Sequence, residues 1–270
     1  MKTNILRMVW PEVLEALERG AAVMIPLASV EPSGRHAVMG GESFIVERWC
    51  EEVSQKSGDL YLPTMPFGYA PSLAHFPGGV TLRNETLVAL IVDVIRSMQH
   101  HGFTHIMVVD NHSGNEAAVE QAASIIRQES GLMVGNTLLP PIMKNFADDL
   151  FDNLAARHGH GGEPGVSVRQ YLCPDDMRID LAKETEHRLF QGMKVTGNKV
   201  SFKNASFMLY MEYSQTNPHG GSGDPFCPDP EKGKIVLDRM IEWGAEMMGA
   251  FKKLDLYSPV KPRAFLEGAK

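Results

Sequence analysis

Apolar residues recur along this chain in two alternating rhythms: at helical spacing over longer stretches, and as short unbroken runs. The spacing predicts a helix over 11–19, opened by Pro11 and stopped by Gly20, since proline suits a first turn and glycine the residue past the last. The run Ala21–Leu27 that follows predicts a buried strand. A polar, glycine-rich loop over 28–42 leads to a helix over 43–54 carrying Ile45, Trp49 and Val53 on one face, then a short strand over 59–62. The clearest helix spans 84–99, where Leu87, Leu90, Ile91, Val94 and Ile95 make a single stripe and Asn84 offers a cap. His105–Asp110 predicts another buried strand, 115–128 a helix, and about 230–254 a long closing helix, with a surface tail from about 258. Strands and helices in alternation predict a parallel sheet covered on both faces, in one domain over 1–270.

Composition narrows the functional classes. The chain carries 33 acidic and 26 basic residues, a formal charge of -7, which argues against a nucleic-acid or anionic-membrane partner. No stretch approaches the roughly eighteen apolar residues of a membrane span, and the opening residues 1–7 lack a signal-peptide run, so a cytoplasmic location is expected. Cys50, Cys173 and Cys227 are far apart and odd in number, which predicts separate thiols rather than disulfides or a cysteine zinc site. The sixteen methionines fall mostly in apolar runs and helices, as core packing requires.

In open α/β sheets ligands bind beyond the C-terminal ends of the strands, which selects two loops. The loop after the first strand holds Glu31, His36 and Glu42 among small residues; the loop after 105–110 is Asp110-Asn111-His112-Ser113-Gly114-Asn115. Carboxylates and an imidazole from separate loops suit Zn²⁺ or Mn²⁺. Taken singly, a loop glutamate is as a rule solvated and a strand-end histidine hydrogen-bonded, and no His-Glu-x-x-His motif is present. A third tract, His158-Gly159-His160-Gly161-Gly162-Glu163, reads either as a chelating histidine pair or as a mobile surface loop. Pro218–Pro225 lacks the Lys-Ser/Thr of a phosphate loop and reads as a turn, and no Gly-x-Ser-x-Gly elbow supports a serine nucleophile.

Taken in order, these tracts resemble the creatininase family of metal hydrolases. The resemblance rests on Pro26 to His36 with Gly41-Glu42, on Pro66-Phe67-Gly68 and Phe76-Pro77-Gly78, and on Gly102-Phe103 through Asn111-His112-Ser113-Gly114-Asn115. It continues through His160-Gly161-Gly162-Glu163 to Gly223-Asp224-Pro225 and Glu231-Lys232-Gly233. It implies a three-layer α/β/α sandwich with a mostly parallel sheet, a homo-oligomer (a hexamer in many members), and hydrolysis of a small polar molecule at a metal. Glu31, Glu42 and His112 are then the expected metal ligands. His160 is the expected acid–base group, since imidazole titrates near neutrality. Glu163 is expected to orient His160 or complete the metal shell, and Ser33 and His36 to contact substrate. Ser33, Gly114 and Gly165 depart from the family pattern where ligands of a second ion would stand, so one ion per chain is expected. The implied chemistry is opening of a cyclic amide. The alternatives are C–C hydrolysis of a keto-inositol ring, resembling 3-dehydro-scyllo-inosose, and a non-catalytic binding protein on the same fold.

Overall fold

The two apolar runs that predict buried strands, at 21–27 and 105–110, pair with each other. In the computed structural model, which describes residues 2–185, 189–197, 199–226 and 228–258, strand β1 (Val23–Leu27) runs parallel to β3 (Ile106–Asp110), with Val23 opposite Ile106 and Leu27 opposite Asp110. β2 (Leu60–Tyr61) and β4 (Gly135–Leu138) extend the sheet in parallel on either side, in the order β2-β1-β3-β4. All five residues of both β1 and β3 are buried, as a sheet covered on two faces demands.

Helix α1 (Trp10–Glu18) precedes β1. Helices α3 (Asn84–His100) and α4 (Glu116–Ser130) cover the face toward which Val23, Ile25 and Leu27 point, meeting them with Ile91, Ile95, Val119 and Ala122. The opposite face receives Met24 and Val109 and is closed by α2 (Gly41–Ser57), α5 (Leu139–Ala147), α7 (Gly165–Leu172) and α8 (Pro230–Phe251). The short α6 (Leu154–Arg157) leads toward α7. Trp49 of α2 is fully buried and donates its indole N–H to the Met240 carbonyl at 3.0 Å, locking α2 to α8. A Cβ on Gly244 would lie 2.3 Å from that indole, so only glycine permits this helix approach. The result is the expected three-layer α/β/α sandwich.

Three features differ from the sequence reading. Asn84 does not cap α3: the N-cap is Arg83, and the Asn84 amide instead donates to Gln121 of α4 at 3.4 Å. Glu42 is not in a loop but in the first turn of α2, which begins one residue earlier at Gly41. A second, antiparallel sheet of β5 (Val195–Thr196), β6 (Lys199–Phe202) and β7 (Ala205–Met208) stands apart from the main one; its strands are too short and too exposed to leave an apolar run. Cys50 is a buried free thiol and Cys173 a half-buried one, while Cys227 and the tail beyond residue 258 lie outside the described residues. Among the described residues no helix is long and apolar enough to cross a membrane.

Candidate metal centre

Because β1 and β3 are neighbours in register, the chain segments leaving their C-terminal ends converge. Glu31 comes from the first, Asn111 and His112 from the second, and α2 returns Glu42 to the same point. His112 Nδ1 lies 3.2 Å from Glu31 Oε2 and 3.3 Å from Glu42 Oε2. One ligand atom from each of the three residues falls within 4.8 Å of the others, and all three side chains are buried.

Each side chain is held by groups behind it. The His112 ring turns Nε2 toward the Tyr69 carbonyl, 3.1 Å away; a proton donated there leaves the Nδ1 lone pair facing the carboxylates. Asp110, at the end of β3, accepts from the His112 backbone N–H at 2.9 Å and from the Asn115 amide at 3.0 Å. Asn115 in turn accepts from the Tyr69 N–H at 2.8 Å, which fixes the segment that presents the Tyr69 carbonyl. Ser29 donates to Glu42 Oε2 at 2.9 Å, and the Asn111 amide donates to the Glu42 carbonyl at 3.0 Å.

The electrostatics call for a cation. Burial alone would pull the His112 imidazole down, but Glu42 and Glu31 reverse this and push it up to about 11. Burial pushes Glu31 up, and its contacts with His112 overcome that, holding it below the ordinary carboxylate range. Burial raises Asp110 to about 7. Glu31 Oε2 is buried and accepts no hydrogen bond. Two buried carboxylates, an orphaned oxygen and an oriented imidazole fit a divalent ion of the Zn²⁺ or Mn²⁺ kind.

The centre opens on a cavity of about 750 Å³, a size suited to a small metabolite. His160 reaches it from the 158–163 tract, with Nε2 2.6 Å from the Pro32 carbonyl, 3.5 Å from Ser33 Oγ and 3.7 Å from Glu31 Oε1. That tract is not a loose surface loop. Gly161, at φ +75°, packs so closely that a Cβ would lie 2.5 Å from the Ser33 carbonyl, and a Cβ on Gly162 would lie 2.6 Å from Gly223 Cα. The Ser222 N–H donates to the His160 carbonyl at 2.8 Å, completing three backbones in contact.

The remaining predicted residues take other positions. His158 does not chelate beside His160: its Nδ1 bonds the Glu163 carbonyl at 3.1 Å. Glu163 is buried and lines the cavity, but Oε1 accepts from Ser167 at 2.9 Å and from Arg157 at 3.3 Å, so it does not hold the His160 ring. Ser33 and His36 do not line the cavity; the buried His36 ring bonds the Gly161 carbonyl at 2.9 Å and braces the tract that carries His160. Tyr69, Asn111, Arg169 and Tyr213 do line it and were missed. Only Asn111, beside His112 at a strand end, had a signal that pointed to it.

The comparisons agree with this geometry. A family model described as Creatininase: Creatinine amidohydrolase matches residues 6–248. Creatinine amidohydrolase of Pseudomonas putida is 25% identical over 198 residues, 67% of this chain and 75% of that protein. A 3-dehydro-scyllo-inosose hydrolase of Thermotoga maritima is 28% identical over 106 residues, 39% of this chain and 34% of that protein. Among solved structures, creatinine amidohydrolase (creatininase) superposes with a TM-score of 0.75 at 19% identity, covering 96% of this chain and 99% of that one. A mutant creatininase of Zn-Zn type and a creatininase described as Mn give 0.74 and 0.73, each at 19% identity over 94% of this chain and 98% of the other. These structures share the fold.

Proposed function

The chain belongs to the creatininase family, and from that premise we propose that this metal-dependent hydrolase opens a small cyclic amide. The observation that carries the reading is the buried Glu31–Glu42–His112 cluster at the floor of a cavity of about 750 Å³. These three residues would hold one Zn²⁺ or Mn²⁺ in a single domain over 1–270. Such an ion polarises a carbonyl and makes water acidic enough to attack near neutral pH.

The chain's own groups supply the rest. Glu31 and Glu42 fix the charge, and the Tyr69 carbonyl keeps His112 Nδ1 turned inward. His160 Nε2 carries a proton on the Pro32 carbonyl in the resting site. Water adds its oxygen to the amide carbon, the C–N bond breaks, and the departing nitrogen takes a proton from His160 Nε2, which the proton lost by the water replaces. Glu163, which lines the cavity with a buried Oε2 that has no partner, is a further contact for the substrate.

One ion per chain is supported by what stands beside the cluster. A Cβ on Gly114 would lie 2.3 Å from His112 Nε2 and 2.4 Å from the Tyr69 carbonyl, so this backbone admits no ligating side chain there. Ser33 offers its hydroxyl to His160 instead. Elemental analysis of the purified protein, followed by a screen of cyclic amides against keto-inositols with Zn²⁺ or Mn²⁺ supplied, tests the reading. One tightly held ion and turnover of a cyclic amide are expected. Turnover of keto-inositols alone would replace the C–N reading with C–C hydrolysis, and a protein that takes up neither metal would remove it.

A further inference from the structure

Two arginines stand near this centre, and they are used differently: Arg169 lines the cavity, while Arg157 reaches it only through Glu163. Arg157 is fully engaged: it donates to Asp224 at 3.0 Å, to Glu163 at 3.3 Å and to the Phe226 carbonyl at 2.7 Å. Arg169 lies deeper, only 7% exposed, and lines the cavity. Among the described residues Arg169 forms no ion pair with a carboxylate, and its buried Nε has no hydrogen-bond partner. Buried arginines are ordinarily paired, because an uncompensated charge is costly away from water.

The chain has cleared space for this side chain. A Cβ on Gly41 would lie 2.4 Å from Arg169 Nε, and one on Gly165 would lie 3.3 Å from Nη1, so the guanidinium threads between two glycines, one of them next to Glu42. From Gly165 to Arg169 is one turn of α7, and a helical side chain leans back toward its own N-terminus, which sends the guanidinium to the cavity rather than to solvent. Burial pulls its pKa down while Glu42 and Glu31 push back without touching it, and arginine stays cationic at neutral pH.

We propose that Arg169 is the anchor for a carboxylate on the substrate, so that the molecule hydrolysed is an anionic amide or lactam rather than a neutral one. The proposal rests on the metal-dependent reading above. Glu31 and Glu42 face the metal position and form no ion pair with Arg169, so its positive charge lacks a partner of its own in the protein, and a substrate carboxylate would supply one. The planar fork of guanidinium donors matches a carboxylate in two-point contact, and neither neighbouring glutamate occupies it.

The test uses a matched pair: 5-oxoproline, a lactam with a carboxylate, and 2-pyrrolidinone, the same ring without one. Binding of each to the Zn²⁺-loaded full chain is measured by calorimetry, with zinc content read separately. The unmodified protein is expected to bind 5-oxoproline about tenfold or more tightly than 2-pyrrolidinone, the low end of a charge-assisted hydrogen bond. In Arg169→Met that preference is expected to vanish with zinc content unchanged, and Arg169→Lys is expected to keep part of it. No preference in the unmodified protein overturns the proposal without needing any variant to fold, and leaves the hydrolase reading standing if zinc is bound. A preference that survives in Arg169→Met means the carboxylate sits on the metal, and equal loss of both ligands places the guanidinium on the ring carbonyl; either outcome overturns it. Failure to bind zinc at all sinks both readings together.

Discussion

The metal cluster and the histidine above it are built in opposite ways. Glu31 and His112 follow the ends of the two central strands, and Glu42 opens a long helix that packs on the same sheet, so their positions derive from the best-buried part of the molecule. His160 stands on a tract with little secondary structure, its side chain 24% exposed, held by backbone-to-backbone contact among Ser33–Gly34, Gly159–Gly162 and Ser222–Gly223. The first arrangement rests on the buried sheet; the second holds only while glycines let three segments of backbone touch. If His160 carries the proton as proposed, metal retention and proton transfer should be separable by mutation, and each change below acts on one side of that divide.

The largest effect is expected on the strand-end side. Glu31→Gln removes a charge from a buried pair and should abolish tight metal binding, with turnover falling by at least about 10³-fold; elemental analysis and steady-state kinetics read the two losses together. Chelation of the unmodified protein should produce the same inactive state and lower the melting temperature, because an ion bound only by the folded chain stabilises it by mass action. Retention of a full equivalent of metal in Glu31→Gln would remove Glu31 from the ligand set.

On the other side, His160→Ala should keep its metal and lose roughly 10²–10⁴-fold in turnover, the range of general acid–base catalysis. Loss of the metal in that variant would make His160 a ligand and erase the division. Gly161→Ala is the intermediate case. At φ +75°, with a Cβ 2.5 Å from the Ser33 carbonyl, the change must shift the tract, costing about 1–3 kcal/mol of stability by thermal denaturation and tens-fold in turnover. Metal content should not move. The smallest effect is expected from Ser33→Ala, which deletes a 3.5 Å contact to His160 while the 2.6 Å contact with the Pro32 carbonyl remains; a change in turnover above roughly tenfold would mean that Ser33 does more than touch the ring.

What the sequence determined by itself was the part in which local pattern and tertiary role coincide. β1 and β3 are apolar throughout because both faces of a parallel sheet are covered, so their runs announce them, and the rule that ligands gather beyond strand ends then leads to Glu31 and His112. The ordered motif tracts added Glu42, whose place on a helix rather than a loop was invisible because Gly40 and Gly41 precede it. Only the tertiary structure decided which groups spend their bonds elsewhere. Glu163 and His36 lie within conspicuous motifs, yet one carboxylate oxygen is taken by Arg157 and Ser167 and the His36 ring braces Gly161, pairings between residues whose partners no periodicity reveals. Arg169 is the converse case. On the sequence it is one basic residue in a short helix of mixed character, and its meaning lies in a missing partner and in two glycines, one of them 128 positions away in the chain, that make room for it. Such features depend on distances between segments that meet only once the chain has folded, and no local rule of spacing encodes them.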